Sequence, residues 1–275
     1  RNEQREFQRK YMGKEELKMK ALVTGATSGI GKSMARKLRI KGWELILTGR
    51  NEAALKSLQQ ELGGNTEIIA ADLSKKEDVF RVYEFCRDKS VGMLVNNAGY
   101  GIFGKFDETD LDDELNMINV NITALHILTK LFLRDFKKRD SGIILNVASA
   151  AGFMTGPLLS SYYASKNYVV RLSLAIYEEL RRDRSNVTIT LLCPGPVNTN
   201  FNNRAGVNFS VKPISPNFAA EYALKRAFAG KLFAIPGFTV KAGILGAKLV
   251  PDRILGAITY NIQRAKKPVS KTEGK

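Results

Sequence analysis

From Met19 to about residue 192 the chain alternates short, uninterrupted apolar runs with longer stretches of helical periodicity, and that alternation leaves few folds open. The apolar runs fall at residues 21–24, 44–47, 68–70, 93–95, 143–147 and 187–192. The helical patterns between them fall at 30–41, 53–62, 77–88, 115–136 and 162–182. A strand with one wet face alternates apolar and polar residues. These runs are apolar throughout, as in a parallel sheet covered on both faces. Repeated βαβ units therefore predict an α/β fold of three layers around a doubly wound parallel sheet, with ligands at the carboxyl ends of the strands. That single domain is expected over residues 19–235. Residues 1–18 form a polar extension with no assigned role, and 236–275 an apolar and basic segment with a tail.

The residues just after each run carry chemistry. The first run ends in Thr24-Gly25-Ala26-Thr27-Ser28-Gly29-Ile30-Gly31. Glycines there permit a tight turn, close backbone approach to a pyrophosphate, and a helix whose N-terminus points at the anion. This is the Rossmann-type arrangement, although the spacing is G-x-x-x-G-x-G. The second ends in Gly49-Arg50, where an acid would bond the ribose diol of NAD and an arginine accommodates the extra phosphate of NADP. Asp72 stands after the third, placed to cap a helix or bond an adenine amino group. Asn96-Asn97-Ala98-Gly99 stands after the fourth, small enough for a flat ring to pack closely.

The helical run opening at Tyr162-Tyr163-Ala164-Ser165-Lys166 supplies a proton donor. Residues four apart share a helix face, so Tyr162 and Lys166 can enter one site, whereas Tyr163 has the uncharged Asn167 four residues on. An ammonium beside a phenol favours the phenolate. Lowering a phenol from about 10 to near 7 needs roughly 4 kcal/mol, which a lysine and a cationic cofactor ring could supply together.

Composition excludes several classes. No apolar run is long enough to span a bilayer, and the first twenty residues are too charged for a secretory signal. Cys86 and Cys193 are the only cysteines, which argues for a reducing compartment, hence a cytoplasmic location, and against a disulfide or metal framework. The lone histidine, His126, lies in an apolar helical run and is expected to pack there, so a Ser-His-Asp site is disfavoured. The formal charge of +16 admits nucleic acid, an anionic membrane surface or an anionic cofactor. No nucleic-acid module or aromatic-basic interleaving is present. The segment 225–275 carries eleven lysines and arginines against Asp252 and Glu273, a net of +9, interleaved with apolar residues. That pattern suits a pocket lid, a dimer contact or a peripheral contact with an anionic membrane.

TGATSGIG, Asp72, NNAG, Ser149, YxxSK and CPGPVNT occur in the order and at the approximate spacings of the classical short-chain dehydrogenase/reductase family. The resemblance covers roughly Met19 to Thr199. The tail, with KLFAIPGF, is similar to the DltE-like and 17β-hydroxysteroid-dehydrogenase-like branch. It lacks the V-D-G-G ending of tetrameric ketoacyl reductases, and a homodimer is expected. The resemblance implies NADP(H) as cofactor, no metal, Tyr162 as acid/base, Lys166 as its ribose-binding partner, Ser149 orienting the substrate oxygen, and Asn121 holding a relay water, with Asn119 close by. It implies cofactor contacts from Gly25, Ser28, Ile30, Arg50, Asp72, Leu73, Asn97, Gly99, Tyr162, Lys166, Pro194, Gly195 and Thr199. The reaction implied is hydride transfer between nicotinamide and a carbonyl or alcohol. Tyr100, Phe103, Phe153, Met154, Leu158, Leu159 and residues 201–218 are expected to wall an apolar substrate pocket. An alternative, a catalytically idle NADP-binding or lipid-associated scaffold, has no need of an intact Asn121, Ser149, Tyr162 and Lys166.

Overall fold

The computed structural model describes residues 19–199 and 213–265. Residues 1–18, 200–212 and 266–275, and with them positions 201–212 of the expected pocket wall, lie outside the described residues. Seven strands pair in parallel in the order β3-β2-β1-β4-β5-β6-β7: β1 (Lys20–Thr24), β2 (Glu44–Gly49), β3 (Thr66–Ala70), β4 (Val91–Asn96), β5 (Ile143–Val147), β6 (Thr188–Leu192) and β7 (Phe233–Ala234). The order reverses between β1 and β4. At such a switch point the crossovers leave to opposite sides and open a crevice beyond the strand ends.

Why the strands read as continuous apolar runs is visible in their packing. Ala21 and Val23 of β1, Leu45 and Leu47 of β2, and Met93 and Val95 of β4 enter the core on one side of the sheet. Leu22, Ile46 and Leu94, the residues between them, enter the core on the other. Both faces are covered by helices. On the first lie α1 (Gly29–Ile40), α2 (Glu52–Leu62) and α7 (Pro216–Phe228). On the second lie α3 (Lys76–Cys86), α5 (Leu125–Lys138) and α6 (Ser160–Arg182). Phe132 and Phe136 of α5 are buried in that second core, and each such side chain contributes about 1.5–3 kcal/mol of transfer free energy.

Three features depart from the sequence reading. The helix expected over 115–136 is α4 (Leu111–Ile118) and α5, joined through a π turn, Asn119–Ala124. Apolar residues recur on both sides of that turn, so periodicity hides the extra residue it holds. The helix α7 and the short β7 extend the sheet beyond the six expected strands. α7 buries Ala219, Ala220, Ala223 and Ala227 beside Leu224, residues too small to print a strong apolar stripe. Its start was legible in Ser215-Pro216: the Ser215 hydroxyl accepts a 3.1 Å hydrogen bond from the Phe218 amide, with proline at the first helical position. Two further helices, α8 (Phe238–Ala247) and α9 (Asp252–Arg264), close the described chain.

Candidate active site

The turn between β1 and α1 is stitched to the end of β4. The Thr24 hydroxyl accepts from the amides of Asn97 (2.9 Å) and Ala98 (3.0 Å). The Asn97 side chain donates to the carbonyls of Thr24 (2.9 Å) and Gly25 (3.1 Å). Asn97 thus fixes the shape of the turn. Gly25 has φ +62°, which disfavours a side chain, and a Cβ there would stand 3.0 Å from Ala98 Cα. A Cβ on Gly31 would lie 2.4 Å from the Gly25 carbonyl oxygen. The first turn of α1 carries no acid, and Ser28 caps it without a side-chain hydrogen bond, so its amides are left to a ligand or water.

Above this floor opens a cleft of about 880 Å³, within the usual range for small-ligand sites. All thirteen residues matched to cofactor contacts line it: Arg50, Asp72 and Leu73 at the ends of β2 and β3, Pro194, Gly195 and Thr199 after β6, and the rest between. Asp72 closes a local turn, one oxygen accepting from the Ser74 amide (3.1 Å) and hydroxyl (2.9 Å), and does not cap α3, whose N-cap is Lys75. Asn121 lies immediately behind the cleft wall. A Cβ on Gly99 would fall 2.9 Å from its Oδ1 and 3.3 Å from Lys166 Nζ. Both amide protons of Asn121 are engaged, with the Tyr100 carbonyl (2.9 Å) and Ser165 Oγ (3.0 Å), and Ser165 in turn donates to the Tyr162 carbonyl (2.7 Å). The π turn therefore places Asn121 so that it braces α6 at the tyrosine. Asn119 accepts instead from Thr123 within its own turn.

The two adjacent tyrosines go to different partners. Tyr162 is hydrogen-bonded to Ser149 and nearly enclosed. Tyr163 accepts a 2.6 Å bond from Gln263 Nε2 of α9. Burial pushes the Tyr162 phenol up to about 12, opposed by the Ser149 bond. Lys166, also buried, donates to the Val147 carbonyl at 3.0 Å and stands 5.9 Å from the Tyr162 ring centroid. Desolvation brings its ammonium down to about 8. The fall of the phenol toward 7 expected from sequence relies on a cationic cofactor ring together with the lysine; in the chain alone, burial holds the phenol above its ordinary value. His126 packs against the Tyr168 ring and pairs with its hydroxyl at 2.7 Å, on the α5–α6 surface.

The expected apolar walls divide. Tyr100 and Leu159 line the cleft. Phe103 does not reach the cleft surface but packs in the same apolar cluster as Tyr100, Leu159 and Tyr162. Phe153 packs at a tilt against Phe233 and lies under Lys248 of the α8–α9 link. Met154 and Leu158 offer their carbonyls to Asn167 and Gly104, and Phe218 sits half-exposed against Tyr222 on α7. Sequence reasoning missed Ile262 and Gln263, which reach the cleft from α9. The signal was the three-turn repeat Leu255, Thr259, Gln263, which is buried but mostly polar.

Comparison with known proteins agrees with this geometry. Residues 19–208 match the family model for short chain dehydrogenase. Over 170 residues the chain is 38% identical to a very-long-chain 3-oxoacyl-CoA reductase of Anas platyrhynchos, covering 58% of this chain and 54% of that one. The chain spans about half the length of the curated acyl-CoA reductases it matches. An uncharacterised oxidoreductase of Bacillus subtilis, YxnA, is 31% identical over 94% of this chain and 79% of its own. A short-chain dehydrogenase from Sphingobium yanoikuyae, solved with NADPH, superposes with a TM-score of 0.76 at 28% identity, covering 90% of this chain and 98% of that one. With its family model matched over most of the domain, its seven-stranded parallel sheet and its glycine-floored cleft, the chain belongs to the short-chain dehydrogenase/reductase family.

Proposed function

We propose that the chain is an NADP(H)-dependent oxidoreductase that interconverts a hydrophobic ketone or aldehyde and its alcohol. The observation that carries this reading is the Ser149–Tyr162 pair, held beside a buried Lys166 at one cleft with Arg50 and the glycine floor.

The residues fit a dinucleotide. Gly25, Gly31 and Gly99 let the floor pack closely, since a Cβ on them would strike Ala98, the Gly25 carbonyl or Asn121, and Ser28, Gly29 and Ile30 at the start of α1 line the cleft. At the end of β2, Gly49 supplies no carboxylate to bond a ribose diol and would not repel a phosphate, while Arg50 supplies a guanidinium. Thr199, which lines the cleft, would bond the carboxamide. NADP(H), when bound, supplies or accepts the hydride.

The chain's own residues handle the proton and the orientation. Ser149 Oγ and Tyr162 Oη converge, so one carbonyl oxygen can accept from both. At neutral pH a phenol pushed up to about 12 is protonated, the form that gives a proton to a developing alkoxide. The cofactor-free site is therefore set for reduction. Lys166, charged below about 8, stabilises the phenolate left behind. Asn121 holds the Tyr100 main chain and Ser165, and so the register of α6 against the cleft. A relay water would be held there. Tyr100 and Leu159, with Ile262 of α9, offer apolar contact to a substrate.

The test is to screen hydrophobic ketones and aldehydes for oxidation of NADPH and, separately, NADH, monitored by absorbance of the reduced ring. Turnover with NADPH supports the reading. Tight NADPH binding with no turnover of any carbonyl or alcohol, in either direction, would favour an idle scaffold.

A further inference from the structure

The last helix is built with its apolar stripe outward. On α9 the buried residues are Leu255, Thr259 and Gln263, four apart, at 6%, 5% and 1% exposure. One position back along the same helix run Ile254, Ile258 and Ile262, at 55%, 45% and 56% exposure. A helix free to rotate would bury the three isoleucines and expose the threonine and the glutamine. It is held from doing so by Gln263, which donates to Tyr163 of another helix at 2.6 Å, while the buried Thr259 hydroxyl is satisfied within α9 by the Leu255 carbonyl at 2.9 Å. The isoleucine stripe faces out because the fold keeps it there.

The neighbouring helix extends the same surface. On α8 Ile244 and Ala247 are buried, while Phe238, Leu245 and, just beyond, Leu249 are exposed. Gly243, Gly246 and Gly256 face open space. Lys241, Lys248, Arg253 and Arg264 are exposed among these apolar groups, with Asp252 as the one acid of the two helices. A patch of this kind on a soluble protein marks an interaction surface. Its charge selects the partner. A second copy of the chain would set these four cations against an identical set, on protomers of +16 each. An anionic surface that also accepts apolar groups complements both features at once, and the boundary of an anionic bilayer is such a surface.

We propose that α8 and α9 form a docking surface for an anionic lipid bilayer, with the isoleucine stripe and Phe238, Leu245 and Leu249 entering the headgroup boundary. The contact is peripheral, since no helix among the described residues is long and apolar enough to cross a membrane. Ile262 belongs to both the stripe and the cleft lining, so the cleft mouth lies beside the docked face. The docking stands apart from the assigned chemistry. Only the corollary that an apolar substrate enters from the lipid rests on that reading.

The experiment is co-sedimentation of the full chain with phosphatidylcholine vesicles, with and without phosphatidylglycerol, at low and raised salt. The chain should pellet with the anionic vesicles, less at raised salt, and remain in solution with the neutral ones. The double variant Ile254→Glu/Ile258→Glu should partition about tenfold or more weakly, with unchanged melting temperature and unchanged NADPH affinity. If that pair lowers the melting temperature, Leu245→Glu/Leu249→Glu on α8 carries the same expectation. Failure of the full chain to bind anionic vesicles at low salt would overturn the proposal. So would variants that bind as well as the original chain, which would place the contact elsewhere. Self-association abolished by the same variants, without vesicle binding, would overturn it in favour of a second copy.

Discussion

Gln263, in the last helix, donates a 2.6 Å hydrogen bond to the hydroxyl of Tyr163, one residue beyond Tyr162 and a hundred positions earlier in the chain. Both partners are largely buried, and Gly156 lets the Tyr163 ring pack so closely that a Cβ there would lie 2.1 Å from it. The bond ties the roof of the cleft to the helix that carries Tyr162.

Removing one partner deprives the other of a buried hydrogen bond, which costs about 1–3 kcal/mol. Tyr163→Phe and Gln263→Leu should each lower the unfolding free energy by that amount, and the double variant by less than the sum. Because α9 lines the cleft while the proposed proton donor is Tyr162, KM should rise while kcat changes little. Denaturant unfolding and steady-state kinetics check both parts. A kcat collapse in Tyr163→Phe with intact cofactor binding would mean the two tyrosines were assigned the wrong way round.

Lys166 is predicted to weaken the fold in the interest of the site. Burial brings its ammonium from 10.5 down to about 8, which corresponds to about 3 kcal/mol disfavouring the charged form. Its bond to the Val147 carbonyl returns about 1.5–3 kcal/mol. For a lysine lowered in the folded state, the unfolded chain binds more protons between about 8 and 10.5, so this group makes stability rise with pH across that window. Below it the cost is fully present. Lys166→Met should therefore match or exceed the original chain in melting temperature at pH 7, lose that pH dependence, and lose turnover. A drop of several degrees in the cofactor-free protein would contradict the sign.

Cofactor preference is predicted to depend on Gly49 and Arg50. A charge-assisted bond from a guanidinium to the extra phosphate is worth about 1.5–3 kcal/mol, or roughly ten- to a hundredfold in affinity. Gly49→Asp with Arg50→Ala should erode or reverse the preference for NADPH, read as dissociation constants by titration. Equal constants for NADPH and NADH in the original chain would end this part of the account.

Most of this architecture could be read from the residues, for a physical reason. Parallel strands buried on both faces must be apolar throughout, so β1 to β6 announce themselves, and their ends carry the turn residues that become the cleft. The rest was hidden where packing overrides pattern. The π turn at Asn119–Ala124 keeps apolar spacing on both sides and so reads as plain helix. The alanine-rich α7 gives a weak stripe, and β7 is two residues long. Gln263 is a polar residue at 1% exposure, which no hydrophobicity argument would place at a buried contact. The phenol's raised pKa in the cofactor-free chain was hidden for a related reason: desolvation depends on an enclosure that only tertiary structure builds.

The central claim is that Tyr162, paired with Ser149 and beside Lys166, gives and takes the proton in a hydride-transfer reaction. Its most direct test is single-turnover oxidation of NADPH by an accepted ketone, with the original chain and with Tyr162→Phe, after cofactor affinity has been measured for both. The account predicts a fall of about 10²–10⁴ in rate, the usual worth of a general acid, with the NADPH dissociation constant changed little. A Tyr162→Phe protein that binds NADPH normally and reduces the ketone at the original rate would contradict it.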